Sequence, residues 1–239
     1  MGVDVMAKVV ILSGAGLSAE SGISTFRDGG GLWDEYDVSV ICNYDSMEKN
    51  EDLTIEFYDK RRADLESKEP NRAHKVIAEL KKEYGLDIAV ITQNVDNLFE
   101  KAGMSSDDVI HLHGFMPEVR CQGCERTYNI GYKNQREFNG GLCPECSSKL
   151  RPNIVFFGEQ APMYEKLSEH ISDCQLFIVI GTSGEVVGVN TIAQFVESSI
   201  LNNLEPSRAI EDGLFSKVLY MRATEAIDEI ANEIDEFLA

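Results

Sequence analysis

The sequence predicts an α/β fold, a Rossmann-like parallel sheet with helices on both faces, and three observations support this prediction. Four short apolar runs are typical of buried parallel strands, and they occupy residues 7–12, 88–91, 176–180 and 217–220. Stretches with helical patterning alternate with them, at residues 73–84, 164–171, 191–198 and 225–238. The first apolar run leads directly into a glycine-rich turn. This alternation indicates a parallel sheet that helices cover on both sides.

The length of 239 residues fits one large domain with inserts. We expect a single catalytic domain over residues 1–239, in which two stretches interrupt the alternating pattern. One insert is largely helical and acidic, and the other has four cysteines but few large apolar residues. The predicted bounds are about 1–33, 87–118 and 151–239 for the Rossmann-like part, 34–86 for the helical insert and 119–150 for the cysteine-bearing insert.

The charge of the chain limits its partners. Asp and Glu number 41 and Lys and Arg number 22, which gives a formal net charge of −19. This charge disfavours direct binding of nucleic acid and of anionic membranes. It is compatible with basic, lysine-rich peptides, although general solvation or adaptation to high salt explains it equally well. No apolar run reaches the roughly 20 residues of a membrane span, and no signal peptide is evident, so we expect a cytoplasmic protein.

Four of the six cysteines form the pattern C-x2-C-x18-C-x2-C, at Cys121, Cys124, Cys143 and Cys146. Each C-x2-C pair can turn two thiolates toward one point, and two pairs complete a tetrahedral cage that suits zinc. A cage of four thiolates leaves no open position, so we expect a structural ion that replaces the missing apolar core of this insert. A rubredoxin-like iron site and redox-active thiols are the alternatives. Cys174 fits a core position, and Cys42 has no assigned role.

The glycine-rich turn has the form G-x-G-x-x-A, from Gly14 to Ala19, directly after the first predicted strand. Its glycines would let the backbone approach a pyrophosphate at the start of a helix. An ordinary dinucleotide fold has an acidic residue at the end of a second strand about 20 residues on. A glycine-rich loop at residues 28–33 stands there instead. We interpret this loop as a lid over the cofactor, and a plain linker is the alternative.

Polar residues follow two further predicted strands, and a third polar stretch follows the short apolar pair Ile200 and Leu201. Ligands of open α/β sheets bind beyond the carboxyl ends of strands, and Asn and Asp side chains suit ribose hydroxyls or a carboxamide. An ordinary turn would explain any one of these pieces, but three in one chain indicate a nucleotide site. The pieces are residues 92–96, 181–183 and 202–205.

Motifs over nearly the whole chain resemble those of the sirtuins, the NAD-dependent protein-lysine deacylases. Their order and spacing match the family as well. The matching pieces are GAGLSAESGISTFR (14–27), GLW (31–33), TQNVDNL (92–98), HLHG (111–114), the four cysteines, RPNIVFFGE (151–159), GTS (181–183) and NLE (203–205).

The chain resembles most the class III-like, bacterial and mitochondrial type of sirtuin, which prefers acidic acyl groups. The reason is the motif Y-x-x-R at Tyr58 and Arg61. Residues i and i+3 share one face of a helix, and a phenol beside a guanidinium could hold the carboxylate of succinyl- or malonyl-lysine. A surface helix with an unrelated Tyr and Arg is the alternative.

The resemblance implies that NAD is consumed to remove acetyl, and also succinyl or malonyl, groups from lysine, which gives nicotinamide, O-acyl-ADP-ribose and free lysine. It implies that His113 is the general base, with Asn94 and Asp96 as further catalytic residues at the nicotinamide ribose. The implied NAD contacts are Gly14, Ala15, Gly16, Ser18, Glu20, Phe26, Arg27, Trp33, Gln93, Asn94, Val95, Asp96, Gly181, Thr182, Ser183, Asn203, Leu204, Glu205 and Ala223. The implied contacts to an acyl-lysine peptide, which would add as a strand, are Tyr58, Arg61, Val155, Phe156, Phe157, Gly158 and Val186. The expected assembly is a monomer with one structural zinc ion.

The sequence departs from the family pattern at a few positions. Asn97 and Phe99 stand where Gly and His are usual, and Gly188 stands where proline is common. Of the other histidines, His74 and His170 lie in polar helical stretches, and we expect both to be exposed. An NAD hydrolase or mono-ADP-ribosyltransferase and a non-catalytic NAD sensor are the alternative functions. A hydride-transferring dehydrogenase fits the glycine-rich loop poorly.

Overall fold

A parallel sheet of six strands runs through the part of the chain that the computed structural model describes, which is residues 7–25, 37–47 and 49–239. The strands are β1 (Val9–Ser13), β2 (Ile88–Thr92), β3 (Val109–His111), β4 (Gly114–Cys121), β5 (Thr127–Asn129), β6 (Leu150–Ile154), β7 (Leu176–Ile180), β8 (Ser198–Asn203) and β9 (Lys217–Tyr220). The order of the main sheet is β3-β2-β1-β7-β8-β9, and every neighbouring pair is parallel. A second, antiparallel sheet has the order β5-β4-β6.

Helices cover both faces of the main sheet, as the alternating pattern predicts. Val9 and Ile11 of β1 point into one apolar cluster, and Val10 and Leu12 point into another. Helices α5 (Arg72–Tyr84) and α9 (Ala223–Leu238) pack on the first face. Helices α7 (Tyr164–Ser172) and α8 (Val189–Phe195) pack on the second face. A strand that is buried on both sides must be apolar throughout, which is why its sequence reads as a continuous run. The helices are α1 (Ala15–Ala19), α2 (Val38–Ile41), α3 (Tyr44–Met47), α4 (Glu51–Glu66), α5 (Arg72–Tyr84), α6 (Leu98–Lys101), α7 (Tyr164–Ser172), α8 (Val189–Phe195) and α9 (Ala223–Leu238).

The small antiparallel sheet supports the cysteine-bearing insert. Its apolar cluster contains only three large aliphatic residues, Val119, Ile130 and Leu150, beside two of the four cysteines. Fully burying such a side chain stabilises a fold by roughly 1.5–3 kcal/mol, which is little against the entropy of ordering about thirty residues. This module therefore depends on further bonds, as the sequence indicates.

Helix α4 is fastened to the cysteine-bearing module by a buried arginine. The Arg62 side chain is fully buried, and its Nε donates to the carbonyl of Met116 at 2.9 Å. Its Nη1 donates to Asp59 at 2.5 Å and to the carbonyl of Lys133 at 3.3 Å. Exposed ion pairs, Lys149 with Glu51 and Arg136 with Asp52, join the same two parts. The helix that carries Tyr58 and Arg61 thus takes its position partly from the cysteine module.

One prediction of local structure needs correction. The predicted helix over residues 191–198 is displaced, since α8 ends at Phe195 and β8 begins at Ser198. The polar ends of β8 hide it in the sequence, although its central residues are buried. The sequence does not predict strands β3 to β6, because they lack the continuous apolar run that marks β1, β2 and β7. Across the described residues, no helix is both long enough and apolar enough to cross a membrane.

Candidate active site

The loops that follow β1 and β7 approach each other closely at the carboxyl edge of the main sheet. A Cβ atom at Gly14 would lie 2.7 Å from the carbonyl oxygen of Gly181, and one at Gly181 would lie 2.4 Å from the nitrogen of Leu17. The N–H groups of Gly14 and Gly16 donate to the carbonyls of Ile180 and Gly181. Glycine is therefore required here for the contact between two loops, and phosphate binding at this turn stays a prediction.

A buried hydrogen-bond network joins α1 to the loop that follows β2. The hydroxyl of Ser18 donates to Asp96 at 2.8 Å and accepts from the side-chain nitrogen of Asn94 at 3.0 Å. The same nitrogen of Asn94 lies 3.0 Å from the carbonyl of Gly14, so Oδ1 is the side-chain atom that Asn94 can offer to a ligand. Asp96 also accepts from the N–H of Leu98 at 3.1 Å. Burial raises the pKa of Asp96, and these two hydrogen bonds oppose the rise. The network brings together three residues that the sequence assigned to NAD.

His74 belongs to this network, and the prediction that it is exposed is wrong. Its side chain is fully buried, and Nε2 lies 3.4 Å from the hydroxyl of Ser18. Burial lowers the pKa of His74 to about 3, so the ring is neutral. The helical spacing of the neighbouring apolar residues could have predicted this burial, because Ala73, Ile77 and Ala78 are also buried on α5.

The ends of β2, β7 and β8 are linked through Thr182. Its hydroxyl accepts from the side-chain amide of Gln93 at 2.9 Å, and its carbonyl accepts from Asn203 at 2.9 Å. Thr182 and Asn203 are both buried. Leu204 and Glu205 come next in the chain and are exposed. The structure thus gathers most of the residues predicted for NAD along one edge of the sheet.

The side chain of Glu20, the residue after α1, contacts the start of α9. Its carboxylate accepts from the N–H of Thr224 at 3.0 Å and from the Thr224 hydroxyl at 2.8 Å, and it pairs with Arg222 at 3.6 Å. This is the arrangement by which a carboxylate satisfies the free N–H groups of a helix start. Ala223 is buried beside it. Phe26, Arg27 and Trp33, with the predicted lid at 28–33, lie outside the described residues.

His113 is held with its Nε2 as the basic nitrogen. Nδ1 lies 3.0 Å from the carbonyl oxygen of Gln93. A carbonyl only accepts, so Nδ1 carries the proton and Nε2 has the lone pair. The hydroxyl of Tyr164 donates to that lone pair at 3.0 Å, and the two rings stack at 6.0 Å. Burial lowers the pKa of His113, although the bond to Gln93 opposes this. The ring is neutral near neutral pH, as a general base must be. Nothing in the sequence pointed to Tyr164.

Gly114, the residue after His113, has no room for a side chain. Gly114 has φ +93°, and a Cβ there would lie 2.1 Å from the carbonyl oxygen of Asn153. We expect Gly114→Ala to lower the free energy of unfolding by more than the roughly 1–3 kcal/mol of backbone strain alone. Gly103→Ala is the matched control, because Gly103 has φ +103° with no atom within 4 Å of a built Cβ. Urea unfolding of both variants measures the difference, and equal losses would show that the contact with Asn153 is unimportant.

The predicted peptide segment connects His113 with the helical insert. The N–H of Val155 donates to the carbonyl of His113 at 2.9 Å, and the N–H of Phe157 donates to the carbonyl of Cys42 at 2.8 Å. Phe157 is 53% exposed, and Val186, which is also predicted to contact the peptide, is 57% exposed. Phe156 is instead a core residue, at 2% exposure. Exposed apolar side chains beside backbone groups are compatible with the binding of an extended peptide.

Tyr58 and Arg61 share one face of α4, as their spacing predicts. Tyr58 is buried, with its ring 5.8 Å from that of Phe156 and its hydroxyl 3.3 Å from the thiol of Cys42. Burial raises the pKa of both Tyr58 and Cys42, so both groups are neutral. Burial lowers the pKa of Arg61, but the carboxylate charges of Asp64 and Asp96 oppose this. Arg61 thus lies within electrostatic reach of the network around Ser18, and Cys42 gains a role as the partner of Tyr58.

The four cysteines of the insert converge on one point. Their sulfur atoms all lie within 4.8 Å of one another. The sulfur atoms of Cys121 and Cys146 are 3.4 Å apart, and those of Cys124 and Cys143 are 3.7 Å apart. Zinc–sulfur bonds of about 2.3 Å in a tetrahedron require sulfur atoms about 3.8 Å apart. The cluster therefore fits a tetrahedral metal ion.

Comparisons with known proteins agree with this geometry. The family model described as Sir2 family matches residues 14–188. The chain is 49% identical to an NAD-dependent protein deacylase of Campylobacter jejuni, over 98% of each chain. It is 42% identical to a protein of the same name from Helicobacter hepaticus, over 97% of this chain and 99% of that one. A solved Sir2 homolog–NAD complex superposes with a TM-score of 0.82 at 30% identity, covering 99% of this chain and 93% of that one. This chain belongs to the Sir2 family.

Proposed function

We propose that the chain is an NAD-dependent protein-lysine deacylase, a transferase that moves an acyl group from lysine to the ADP-ribose part of NAD. The observation that carries the proposal is His113, whose bond to Gln93 leaves Nε2 as a base beside the network of Ser18, Asn94 and Asp96. Relatives that bear the name NAD-dependent protein deacylase support it.

The described residues fit NAD at the carboxyl edge of the main sheet. The chain passes from β1 to β2 on one side and later adds β7 on the other side of β1. Dinucleotides bind where the strand order reverses in this way. Asn94 and Thr182 follow β2 and β7 at that place, and Asn203 is the last residue of β8. We assign these residues, with Ser18 and the glycine turn, to NAD binding.

His113 performs the proton transfer in the proposed reaction. NAD supplies, when bound, a ribose carbon that takes the acyl oxygen as nicotinamide leaves. Nε2 of His113 accepts the proton of a ribose hydroxyl, while Nδ1–H keeps its bond to the Gln93 carbonyl. Tyr164 must then release Nε2, because the nitrogen has one lone pair. We assign the peptide to Val155 to Gly158 and Val186, and the bond from the N–H of Val155 to the carbonyl of His113 supports an acyl-lysine position near this histidine.

A panel of acyl-lysine peptides tests this function. Purified protein is incubated with NAD and with acetyl, succinyl or malonyl peptide, and mass spectrometry follows the peptide and the nicotinamide. A deacylase releases nicotinamide and deacylated peptide in equal amounts. Release of nicotinamide without any peptide would instead indicate an NAD hydrolase. NAD binding with no turnover of any peptide would indicate a sensor.

We propose further that Tyr58 and Arg61 select acidic acyl groups. A guanidinium that is largely withdrawn from water binds a carboxylate strongly. Arg61→Met should reduce desuccinylation by about 10- to 100-fold, because a hydrogen bond to a charged group contributes about 1.5–3 kcal/mol. Deacetylation should change little, since the acetyl group has no carboxylate. Kinetics of kcat/KM on matched succinyl and acetyl peptides measure this difference.

The neighbouring Lys60 supplies the control for this prediction. Its side chain is 47% exposed and pairs with Glu56 along the helix. Lys60→Met removes the same charge from the same helix but should leave the ratio of the two activities unchanged. Equal losses on both peptides in Arg61→Met would rule out the proposed clamp.

We also propose that Cys121, Cys124, Cys143 and Cys146 hold one structural zinc ion. The separation of their sulfur atoms supports this assignment. The four thiolates would fill the coordination sphere, so the ion would stabilise the module without touching substrate.

A further inference from the structure

A buried acid–base pair lies behind the loop that carries Asn94 and Asp96. The ring of His111, at the end of β3, has Nε2 at 2.9 Å from a carboxylate oxygen of Glu100 on α6. Nδ1 of the same ring lies 3.0 Å from the backbone carbonyl of Asn94. The side chains of His111 and Glu100 are 11% and 17% exposed. The proposed reaction uses neither group.

The two partners of the ring determine its charge. The Asn94 carbonyl can only accept a hydrogen bond, and so can an ionised carboxylate. Both ring nitrogens must therefore donate, which requires a protonated imidazole. A neutral ring would leave one of these bonds unmade in a largely buried place, which is unfavourable.

The surroundings favour the same charge state. Within the described residues, Glu100 and, in the loop after β2, Asp96 are charged groups that act on the ring. From β4 the aromatic side chain of Phe115 packs against it, at 4.7 Å between centroids. Burial alone would lower the pKa of His111, but the bond and charge of Glu100, the Asn94 carbonyl and the charge of Asp96 together raise it.

The charged ring of His111 is hydrogen-bonded directly to the loop that carries Asn94 and Asp96. His111 fixes the carbonyl of Asn94, whose side chain reaches Ser18 and Gly14. Glu100 connects the ring to α6, whose first N–H group, that of Leu98, binds Asp96. The pair thus holds the two ends of the Asn94–Asp96 turn at a fixed distance.

We propose that His111, as an imidazolium paired with Glu100, is a positioning residue that keeps the Asn94–Asp96 turn in its NAD-binding conformation. This inference rests on the proposed function, since it assumes that this turn binds NAD. The pair loses its proton as the pH rises through the raised pKa of His111, and its hold on the turn is lost in the same range. NAD affinity is then expected to weaken on the alkaline side.

The first experiment measures the charge of the ring without any substrate. ¹⁵N NMR of the four histidines, assigned through single His→Gln variants, reports the protonation of each ring nitrogen in the free protein. His74, His113 and His170 have lowered pKa values and should be neutral near neutral pH. His111 should show both nitrogens protonated, and Glu100→Gln should move its titration to lower pH. A neutral His111 near neutral pH would overturn the proposal.

The second experiment measures NAD binding by calorimetry across the pH range. Glu100→Leu should raise the Kd for NAD about tenfold at pH values where the wild-type ring is charged, because the variant loses the hydrogen bond between the ring and the carboxylate. The difference should shrink as the pH rises through the raised pKa of His111, because the wild-type ring then becomes neutral and loses its hold as well. Glu79→Leu, which changes an exposed carboxylate on α5, is the matched control and should show no such trend.

The outcomes separate this proposal from the proposed function. A wild-type protein that binds no NAD would contradict the function, whatever His111 does. Normal NAD binding with a loss in Glu100→Leu that is equal at every pH would contradict the positioning role and leave the function intact. A loss that follows the titration of His111 supports both, since a merely structural defect would not track that group.

Discussion

His113→Ala is expected to reduce kcat/KM for deacylation by about 10²- to 10⁴-fold, the usual contribution of a general base. The other histidines cannot replace it. His74 is fully buried and neutral, and His111 has both nitrogens engaged by Asn94 and Glu100. Steady-state kinetics on an acyl-lysine peptide with NAD measure the loss. NAD binding should persist, because the ring contacts Gln93 and Tyr164 within the protein.

His170→Ala is the control for this variant. His170 lies on α7, away from the loops that follow the strands, and its replacement should leave kcat/KM near the wild-type value. A His113→Ala protein that deacylates at the full rate would contradict the assignment of the general base. Loss of folding as well as activity, seen as a lower melting temperature, would instead indicate a structural role for the ring.

Cys143→Ser is expected to release the zinc ion and to lower the melting temperature by about 10 °C or more. Structural zinc sites contribute many kcal/mol to small modules, and each kcal/mol corresponds to roughly 2–4 °C for a chain of this length. The apolar cluster of the module is too small to compensate. Elemental analysis should give one zinc per wild-type chain and less in the variant, and thermal unfolding gives the shift.

Cys174→Ser tests whether any buried thiol would have the same effect. Cys174 lies in the core beside β7, outside the cluster, so its variant should keep the full zinc content. Zinc loss should also weaken desuccinylation, because Arg62 ties α4 to the backbone of Lys133 in the module. A Cys143→Ser protein with unchanged zinc content and melting temperature would contradict the structural zinc site.

The sequence predicted those features that depend on neighbours along the chain. The apolar runs of β1, β2, β7 and β9 and the glycine turn are local patterns, and the structure confirms the parallel sheet. The spacing of the four cysteines is likewise local, because each C-x2-C pair sets its own geometry. The i and i+3 spacing of Tyr58 and Arg61 placed both on one face of α4 for the same reason.

Features that join distant segments could not be predicted in this way. The bond of Tyr164 to His113 spans 51 positions, and that of His74 to Ser18 spans 56. His74 was expected to be exposed because the residues around it are polar, but α5 turns that face onto the main sheet. The pairing of His111 with Glu100 depends on how β3 meets α6, which no pattern within either element indicates.

Gln93 couples the orientation of His113 to the position of the loop that follows β7. Its carbonyl holds Nδ1 of His113, its N–H donates to Ser13, and its side chain holds Thr182. A displacement of the β7 loop is therefore transmitted to the imidazole through one residue. If the proposed function holds, substitutions in the β7 loop that change NAD binding are expected to alter proton transfer by His113 as well.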